Sequence, residues 1–184
     1  GSNANRVSSG EAVAVFIQDR VTLDRLTVTG GVRFEDYELT REDYSTADPT
    51  RVDGPTNVRT LDDQVVVPGL SALYELNDDL TLLAGVHRGF AIASPGATDA
   101  DAEESVNWEA GGRFSRDGLD VEAIAFFNDY SNLLGTCTAS SGGNCTIGDQ
   151  FDGGEVDVMG LELTASWDAA KLFDTSLSLP VGVV

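Results

Sequence analysis

Apolar and polar residues alternate along most of the chain, which is the pattern of a β-strand with one apolar face. Residues 26–35 show it most clearly, because their even and odd positions form two different faces. The even face carries Leu26, Val28, Gly30, Val32 and Phe34, and the odd face carries Thr27, Thr29, Gly31, Arg33 and Glu35. The same pattern predicts eight strands, at 11–23, 26–35, 64–76, 80–91, 104–115, 119–134, 154–167 and 175–184. Helical periodicity of useful length is lacking, so the predicted fold class is all-β.

The predicted strands are long, and their connections alternate between short and long. Most strands have a dozen residues or more, about twice the ~5–6 residues of strands in soluble sheets, whereas a tilted membrane-spanning strand needs ~9–11. Short polar turns lie at 23–25, 77–79 and 116–118, and long loops lie at about 43–62, 92–103 and 135–153. Such an arrangement is typical of outer-membrane barrels. The sequence therefore predicts an antiparallel up-and-down meander of about eight strands of a larger transmembrane β-barrel, with a soluble sandwich as the alternative.

Aromatic residues fall near the two ends of the predicted strands, as in the two girdles of a membrane barrel. Those near the long loops are Phe34, Tyr37, Phe90, Trp108, Phe127 and Tyr130, and those near the short turns are Tyr74, Phe114 and Trp167. The alternation fails at two places. Ile124 and Phe126 share the polar face of their strand, which predicts an inward apolar patch. The parity changes between Val158 and Leu161, which predicts a β-bulge at Gly160.

Acidic residues outnumber basic ones by 31 to 11, and the net charge is −20. Because no basic stripe is available to neutralise phosphates, the sequence argues against a nucleic-acid partner. An apolar run of ~18 residues is also lacking, so no transmembrane helix is expected. Gly1 to Ala4 resemble a scar of tag removal, and the predicted barrel domain is therefore 5–184. Residues 177–184 end within an apolar run, which indicates a chain cut from a longer one.

Few residues are candidates for a disulfide, a ligand contact, a catalytic group or a metal site. Cys137 and Cys145 are the only cysteines and lie in a loop rich in Ser, Thr and Gly, which favours a disulfide over free thiols or a zinc site. His87 and Arg88 are adjacent at the long-loop end of a strand, where one of them could contact an anionic chelate, unless both are ordinary wall residues. His87 is the single histidine and has no recognisable Ser and Asp partners, so hydrolase chemistry has little support. The acidic clusters miss the EF-hand pattern and are expected to be solvated loop charge; they are Asp99, Asp101, Glu103 and Glu104, and Asp149, Asp152, Glu155 and Asp157.

Several short motifs occur in a specific order and spacing, although each is weak alone. The main ones are FFNDYSNL at 126–133, GTCT at 135–138, GDQF at 148–151, GEV at 154–156 and GLE at 160–162. FIQDR at 16–20, GVRFE at 31–35, PGLSALY at 68–74, HRGF at 87–90 and NWEAG at 107–111 support them. Together they resemble the barrel of TonB-dependent outer-membrane receptors of the ferric-dicitrate type. In that family a globular plug sits inside a barrel of about 22 strands, and TonB supplies energy through a short box on the plug; this sequence contains neither plug nor box.

The resemblance implies that the parent protein lies in the cell outer membrane and takes up a ferric siderophore or ferric citrate. It also implies a non-enzymatic protein without a cofactor, whose partners are the ferric chelate, TonB through the missing plug, and outer-membrane lipid. By position near the outer rim, Arg88, Asn132 and Gln150 are the candidate ligand contacts; no catalytic residue or metal site is predicted. An arc of wall has two open edges, so the fragment is expected to self-associate. The alternatives are an autonomous small β-barrel or sandwich that acts as an adhesin or recognition module, and an outer-membrane hydrolase.

Overall fold

In a computed structural model, the described residues are 4–95, 97, 101–141, 147–148, 150–168 and 180–183. They form ten strands: β1 (Arg6–Leu23), β2 (Leu26–Asp43), β3 (Asn57–Glu75), β4 (Leu80–Ala91), β5 (Glu103–Arg116), β6 (Leu119–Ser131), β7 (Leu134–Thr136), β8 (Gln150–Asp152), β9 (Val156–Asp168) and β10 (Pro180–Val183). Eight of them form one sheet in the order β1-β2-β3-β4-β5-β6-β9-β10, and β7 and β8 pair separately. Every pairing is antiparallel. The predicted all-β meander is confirmed. In the described part of the chain, no helix has the length and apolar character needed to cross a membrane.

The first three strands extend further toward the long loops than the sequence predicts. β1, β2 and β3 have 18, 18 and 19 residues, which corresponds to about 60 Å at ~3.3 Å per residue. The predicted second strand stops at Glu35, whereas β2 continues to Asp43. The pairing persists because the alternation continues past Glu35, with Tyr37 and Leu39 on one face. The predicted loop 43–62 is therefore shortened to 44–56.

One predicted strand, 119–134, is divided in two. β6 ends at Ser131 and β7 begins at Leu134. Asn132 between them has a φ of 54°, which lies in the left-handed region that asparagine tolerates better than most residues. Of the predicted last strand, 175–184, residues 180–183 form β10, and the rest lies outside the described residues.

The register gives the sheet two chemically different faces. Residues directly opposite each other share a face, so the apolar positions of β2 continue across all the neighbouring strands from β1 to β9. The apolar face carries Ile17, Val21, Val32, Phe34, Leu70, Tyr74, Leu82, Val86, Trp108, Phe114, Phe127, Met159, Leu161, Leu163 and Trp167. Its side chains are largely exposed, with Ile17 at 71% and Leu161 at 72%. The other face, here called the polar face, carries Arg20, Thr29, Arg33, Glu35, His87, Asn107, Glu109, Arg113, Glu122, Asn128 and Glu162.

The predicted bulge at Gly160 is wrong. β6 and β9 pair one residue to one residue from Leu119 opposite Trp167 to Tyr130 opposite Val156. Gly160 lies opposite Phe126, and a Cβ at Gly160 would come within 2.6 Å of the Phe126 ring. The glycine therefore leaves room for an aromatic ring that lies across it. The parity changes because Val156 and Val158 lie on the polar face. Ile124 and Phe126 lie on the same face, as their parity predicts, so this face carries an apolar patch.

Candidate ligand-facing surface at the outer end

The outer end of the sheet, defined here as the end that carries the long loops, has a core of its own. Tyr37, Leu39 and Val65 are buried on the polar face of β2 and β3, and Leu61, Val67 and Phe90 pack against them. Tyr37 lies beyond Phe34, the last large apolar residue of β2 on the apolar face. Its hydroxyl donates to Asp63 Oδ2 at 3.2 Å. Burial, and then the negative charge of Asp63, raise the pKa of Tyr37 to about 12.

The connection between β4 and β5 closes part of this core. Ala93 and Ala97 are 1% and 5% exposed, and Leu61 and Leu134 pack against them. Leu61 belongs to β3 and Leu134 to β7, so three separate parts of the chain meet here. Small alanine side chains let the loop backbone lie close to the strands. The described part of the loop is thus folded against the polar face.

Hydrogen bonds join the β7–β8 hairpin to the β4–β5 loop and to the first residue of β5. Gln150 Oε1 accepts from the Ser94 amide at 2.5 Å, and Glu103 Oε2 accepts from the Leu134 amide at 3.2 Å. The two strands of the hairpin are also closed at their base, since the Leu133 amide donates to Gly154 O at 2.9 Å. The long connections at the outer end therefore support one another.

The loop 44–56 between β2 and β3 is organised around Asp48. The Asp53 amide donates to Asp48 Oδ2 and the Thr50 hydroxyl donates to Oδ1, each at 2.9 Å. The donation from the Asp53 amide is the main reason why the pKa of Asp48 is lowered. Asn5 Nδ2 donates to the carbonyls of Ser45 and Asp48, both at 2.9 Å, so the segment before β1 also holds the loop.

An arginine completes this arrangement. Arg51 Nε donates to Asn5 Oδ1 at 2.9 Å, and its guanidinium lies 5.2 Å from the centroid of the Tyr44 ring, within range of a cation–π interaction. The loop is exposed to solvent at Val52, which is 81% accessible. Hydrogen bonds between Asn5 and Arg51 and between Asn5 and the backbone of the loop therefore hold the loop to the segment before β1.

The structure does not bring the three candidate ligand contacts together. Arg88 lies in the register of the apolar face, forms an ion pair with Glu104, and donates to Val66 O at 3.3 Å. Asn132 occupies the turn after β6, and Gln150 bonds to the β4–β5 loop. Within the described ranges, no hydrogen bond or ion pair joins these side chains.

His87 and Arg88 face opposite sides of the sheet, as adjacent residues of a strand must. His87 is on the polar face, opposite Gly69 and Asn107. Its neighbourhood is polar, and Asn107 Nδ2 donates to Ser105 Oγ at 2.9 Å. His87, rather than Arg88, is therefore the residue of the pair whose side chain shares the polar face.

The cysteine and acidic predictions fall partly on residues outside the described part. Cys137 is 2% exposed, and no described cysteine is free; Cys145 lies outside the described residues, so the pairing stays a prediction. Asp99 and Asp149 also lie outside them, as does the side chain of Asp152. Glu103 and Glu104 have partners, namely the Leu134 amide and Arg88, and so are not simply solvated. Among the described residues, no group of three or more His, Cys, Asp or Glu side chains could hold a metal ion.

The sequence reasoning missed the residues that shape the outer end. Tyr37 and Leu39 alternate with Asp36 and Glu38, and this signal could have extended the second strand. Ala93 and Ala97 carry no such signal, because alanine is common in every environment. Asp48, followed by Thr50 and by Asp53, has the composition of a side-chain-capped turn, which could have been recognised.

Comparisons with known proteins agree with this geometry. Residues 1–182 match the family described as TonB dependent receptor-like, beta-barrel. The pesticin receptor of Yersinia enterocolitica serotype O:8 / biotype 1B is 29% identical over 160 residues, which is 78% of this chain and 21% of that protein. The unliganded ferric citrate transporter FecA has a similar structure, with a TM-score of 0.72 and 22% identity over 92% of this chain and 24% of that one. The ferric yersiniabactin uptake receptor FyuA from Yersinia pestis gives a TM-score of 0.68 and 23% identity over 89% of this chain and 25% of that one. The chain thus spans about a fifth of the length of the curated relatives it matches.

Proposed function

Because the chain belongs to the TonB-dependent receptor β-barrel family, whose members are outer-membrane β-barrel proteins, we propose that it forms neighbouring strands of the wall of a longer receptor. In this proposal residues 5–184 are the wall segment and residues 1–4 are a cloning scar. The contacts of Asn5 with the loop 44–56 support the placement of residue 5 within the folded part.

One observation carries the proposal: the sheet has one apolar face and one polar face, and the apolar face is uncovered. The apolar face is continuous from Ile17 in β1 to Leu161 in β9. The polar face also exposes an apolar side chain, Phe16, which is 74% accessible. An apolar surface that crosses seven strands suits the hydrocarbon of a membrane. An autonomous soluble module would leave this surface in water, which favours aggregation.

The proposed cargo is a ferric chelate, either a ferric siderophore or ferric citrate. The names of two structural neighbours, a ferric citrate transporter and a ferric yersiniabactin receptor, support this class. Their identity to this chain is below 25%, so the ferric-dicitrate type rests on the motif resemblance alone. The receptor would act without catalysis and would take its energy from TonB through a plug encoded elsewhere in the protein.

Ligand contacts are proposed at the outer end. Asn132 and Gln150 remain the candidates, with the condition that a ligand must compete with the Ser94 amide for Gln150. Arg88, the third predicted contact, lies in the register of the apolar face and is paired with Glu104, so a ligand on the polar face would not meet its side chain. Loops that already support one another need little ordering when a ligand binds. This organisation favours the outer end over the turns at the other rim.

Uptake of iron by cells that express the full-length receptor tests the proposal. Cells are given ⁵⁵Fe as ferric citrate or as a purified siderophore complex, with and without an intact TonB gene. We expect accumulation with one chelate and only when TonB is present. TonB-independent accumulation, or none with any ferric chelate, would contradict the proposed function.

A further inference from the structure

The outer parts of β1, β2 and β3 carry opposite charges on their two faces. Beyond Tyr37, the polar face of these three strands carries Arg6, Arg41 and Arg59, with Asp43 as its single carboxylate. We call the three arginines the arginine cluster. Over the same length the opposite face carries four carboxylates and no arginine; they are Glu11, Glu38, Glu42 and Asp62. The positive charge is therefore gathered on one face, although the whole chain has a net charge of −20.

Two members of the cluster share one carboxylate. Arg41 and Arg59 lie directly opposite each other, a position in which like charges destabilise a sheet. Asp43 Oδ1 accepts from Arg41 Nε at 3.0 Å, and Asp43 Oδ2 is 3.9 Å from Arg59 Nη2. Ser8 and Asn57, directly opposite Arg41 and Asp43, place a hydroxyl and an amide on the same face. A second anion bound here would balance the positive charge that a single carboxylate leaves on β2 and β3.

The neighbourhood of the cluster is partly enclosed. The side chains of Arg41 and Arg59 are only 14% and 25% exposed. Leu61 lies two residues from Arg59 along β3, on the same face, and the β4–β5 loop packs against it through Ala93 and Ala97. The loop thus forms a wall beside the strands, and a small anion would be contacted from more than one side, as small ligands are in most protein sites.

The position of the cluster restricts the kind of anion. Arg41 lies seven residues beyond Phe34, the last large apolar residue of β2 on the apolar face, which corresponds to about 23 Å at ~3.3 Å per residue. A lipid headgroup at the edge of the apolar band would lie too far away, so the anion is a water-soluble one. Guanidinium groups recognise carboxylates through paired, charge-assisted hydrogen bonds. A chelate with carboxylates offers this chemistry.

Repulsion elsewhere strengthens the preference for this face. On the opposite face, Glu11 lies directly opposite Glu38, and Glu38 directly opposite Asp62. An anion that approaches the outer parts of these strands is repelled from that face and attracted to the arginine cluster. Asn132 and Gln150, the other candidate contacts, are uncharged and do not distinguish a charged chelate from an uncharged one.

We infer that the arginine cluster binds the carboxylates of the cargo, so that the receptor selects a negatively charged ferric carboxylate chelate over an uncharged ferric chelate. This inference rests on the proposed function, which leaves the charge class of the chelate open. Arg41 and Arg59 are then specificity-determining residues, because they contact the part of the cargo that an uncharged chelate lacks.

Binding of two iron chelates to the purified full-length receptor tests the inference. The probes are ⁵⁵Fe-labelled ferric citrate, which is negatively charged, and an uncharged ferric trihydroxamate. We expect the receptor to bind ferric citrate at least about tenfold more tightly, and Arg41→Gln combined with Arg59→Gln to remove this preference. Arg25→Gln combined with Arg116→Gln is the matched control, since it removes the same two charges at the short-turn rim and should leave the preference unchanged. Heat-modifiable migration in gels confirms that each variant is folded.

A second measurement needs no iron. The full-length receptor is treated with phenylglyoxal, which modifies arginines, and the modified peptides are quantified by mass spectrometry. Saturating citrate without iron should slow modification of Arg41 and Arg59 by at least about tenfold, because bound carboxylates shield their guanidinium groups. Arg116 should react at an unchanged rate. Inorganic phosphate at the same concentration is the comparison anion and should protect less.

Three results would overturn the inference: equal affinity for the two chelates, a preference that both double variants reduce equally, and citrate protection no greater than that given by phosphate or found at Arg116. The proposed function is judged separately by iron uptake. TonB-dependent uptake of an uncharged chelate supports the proposed function and contradicts the inference. Citrate protection of Arg41 and Arg59, in a receptor that takes up no ferric chelate, supports carboxylate recognition by the cluster and contradicts the proposed function.

Discussion

The outer end of the sheet and its apolar face differ in what covers them. At the outer end, Tyr37, Leu39 and Val65 are buried by other parts of the same chain. On the apolar face, Ile17 and Leu161 are more than two-thirds exposed. The outer end is therefore stabilised by contacts within the chain, whereas the side chains of the apolar face are left without contacts that would bury them. In the proposed wall segment, the outer end is the solvent-facing surface and the apolar face is the surface that would contact lipid.

The largest expected effect is self-association through the unpaired edge of β1. In the described residues β1 pairs only with β2, so its other edge presents free backbone groups along 18 residues. We predict that the 184-residue chain alone self-associates in detergent and in solution. Light scattering measures this; a detergent-corrected mass of one chain, with all strand amides protected from hydrogen exchange, would show that the arc closes by itself.

Truncation of a core residue at the outer end should be costly. Leu39 is 8% exposed, so Leu39→Ala is expected to lower the free energy of local unfolding by ~2–5 kcal/mol. Leu161→Ala removes the same atoms from a side chain that is 72% exposed, and a change within about 0.5 kcal/mol is expected. Hydrogen exchange in the detergent-solubilised protein reports the difference, at the β2 and β3 amides for Leu39→Ala and at the β6 and β9 amides for Leu161→Ala. Equal losses in the two variants would remove the distinction between the two regions.

The sequence predicted the apolar face almost completely, because a period of two over ten residues leaves little freedom of register. It predicted the outer end poorly. The burial of Ala93 and Ala97 depends on where a loop folds back, and alternation contains no information about that. Gly160 shows a similar limit. A glycine is needed there because the ring of Phe126, on the neighbouring strand, occupies the space of a Cβ, and the pattern of a single strand does not reveal that neighbour. Gln150 was selected for position, whereas its partner at Ser94 is 56 residues away.

The disulfide prediction concerns a loop at the outer end. If Cys137 is joined to Cys145, reduction should release the loop between them and cost ~2–3 kcal/mol of loop-closure entropy. Mass spectrometry of a non-reduced digest should find the two peptides linked. Alkylation of both thiols without a reductant, after oxidative refolding, would rule the bond out. The apolar face contains no cysteine and should be insensitive to the reductant.

A single hydrogen bond between loops should matter less. Gln150→Ala removes the acceptor of the Ser94 amide, and a loss of ~1 kcal/mol is expected for a bond of this kind. Faster exchange of the Ser94 amide, with unchanged exchange in β5 and β6, would confirm a local role. Gln150→Glu keeps an acceptor oxygen and should restore the protection. If the Ser94 amide exchanges at the same rate in the unchanged protein, Gln150→Ala and Gln150→Glu, the hydrogen bond to Gln150 does not hold the loop.

The smallest effect is expected from the pH dependence of the loop 44–56. The pKa of Asp48 is lowered in the folded protein, mainly because the Asp53 amide donates to its carboxylate. A carboxyl group with a depressed folded-state pKa contributes stability above its unfolded value, near 3.8, and loses that contribution as the pH falls through the folded-state pKa. The Asp53 amide should thus be protected at neutral pH and lose its protection only as the pH falls below 3.8 and through the lowered folded-state pKa. Asp48→Asn keeps an oxygen acceptor but cannot ionise, so its loop should show no such transition. Amide chemical shifts followed from pH 7 downward until the Asp48 transition is complete distinguish the two proteins, and a transition of the same size in both would assign the pH dependence to another group.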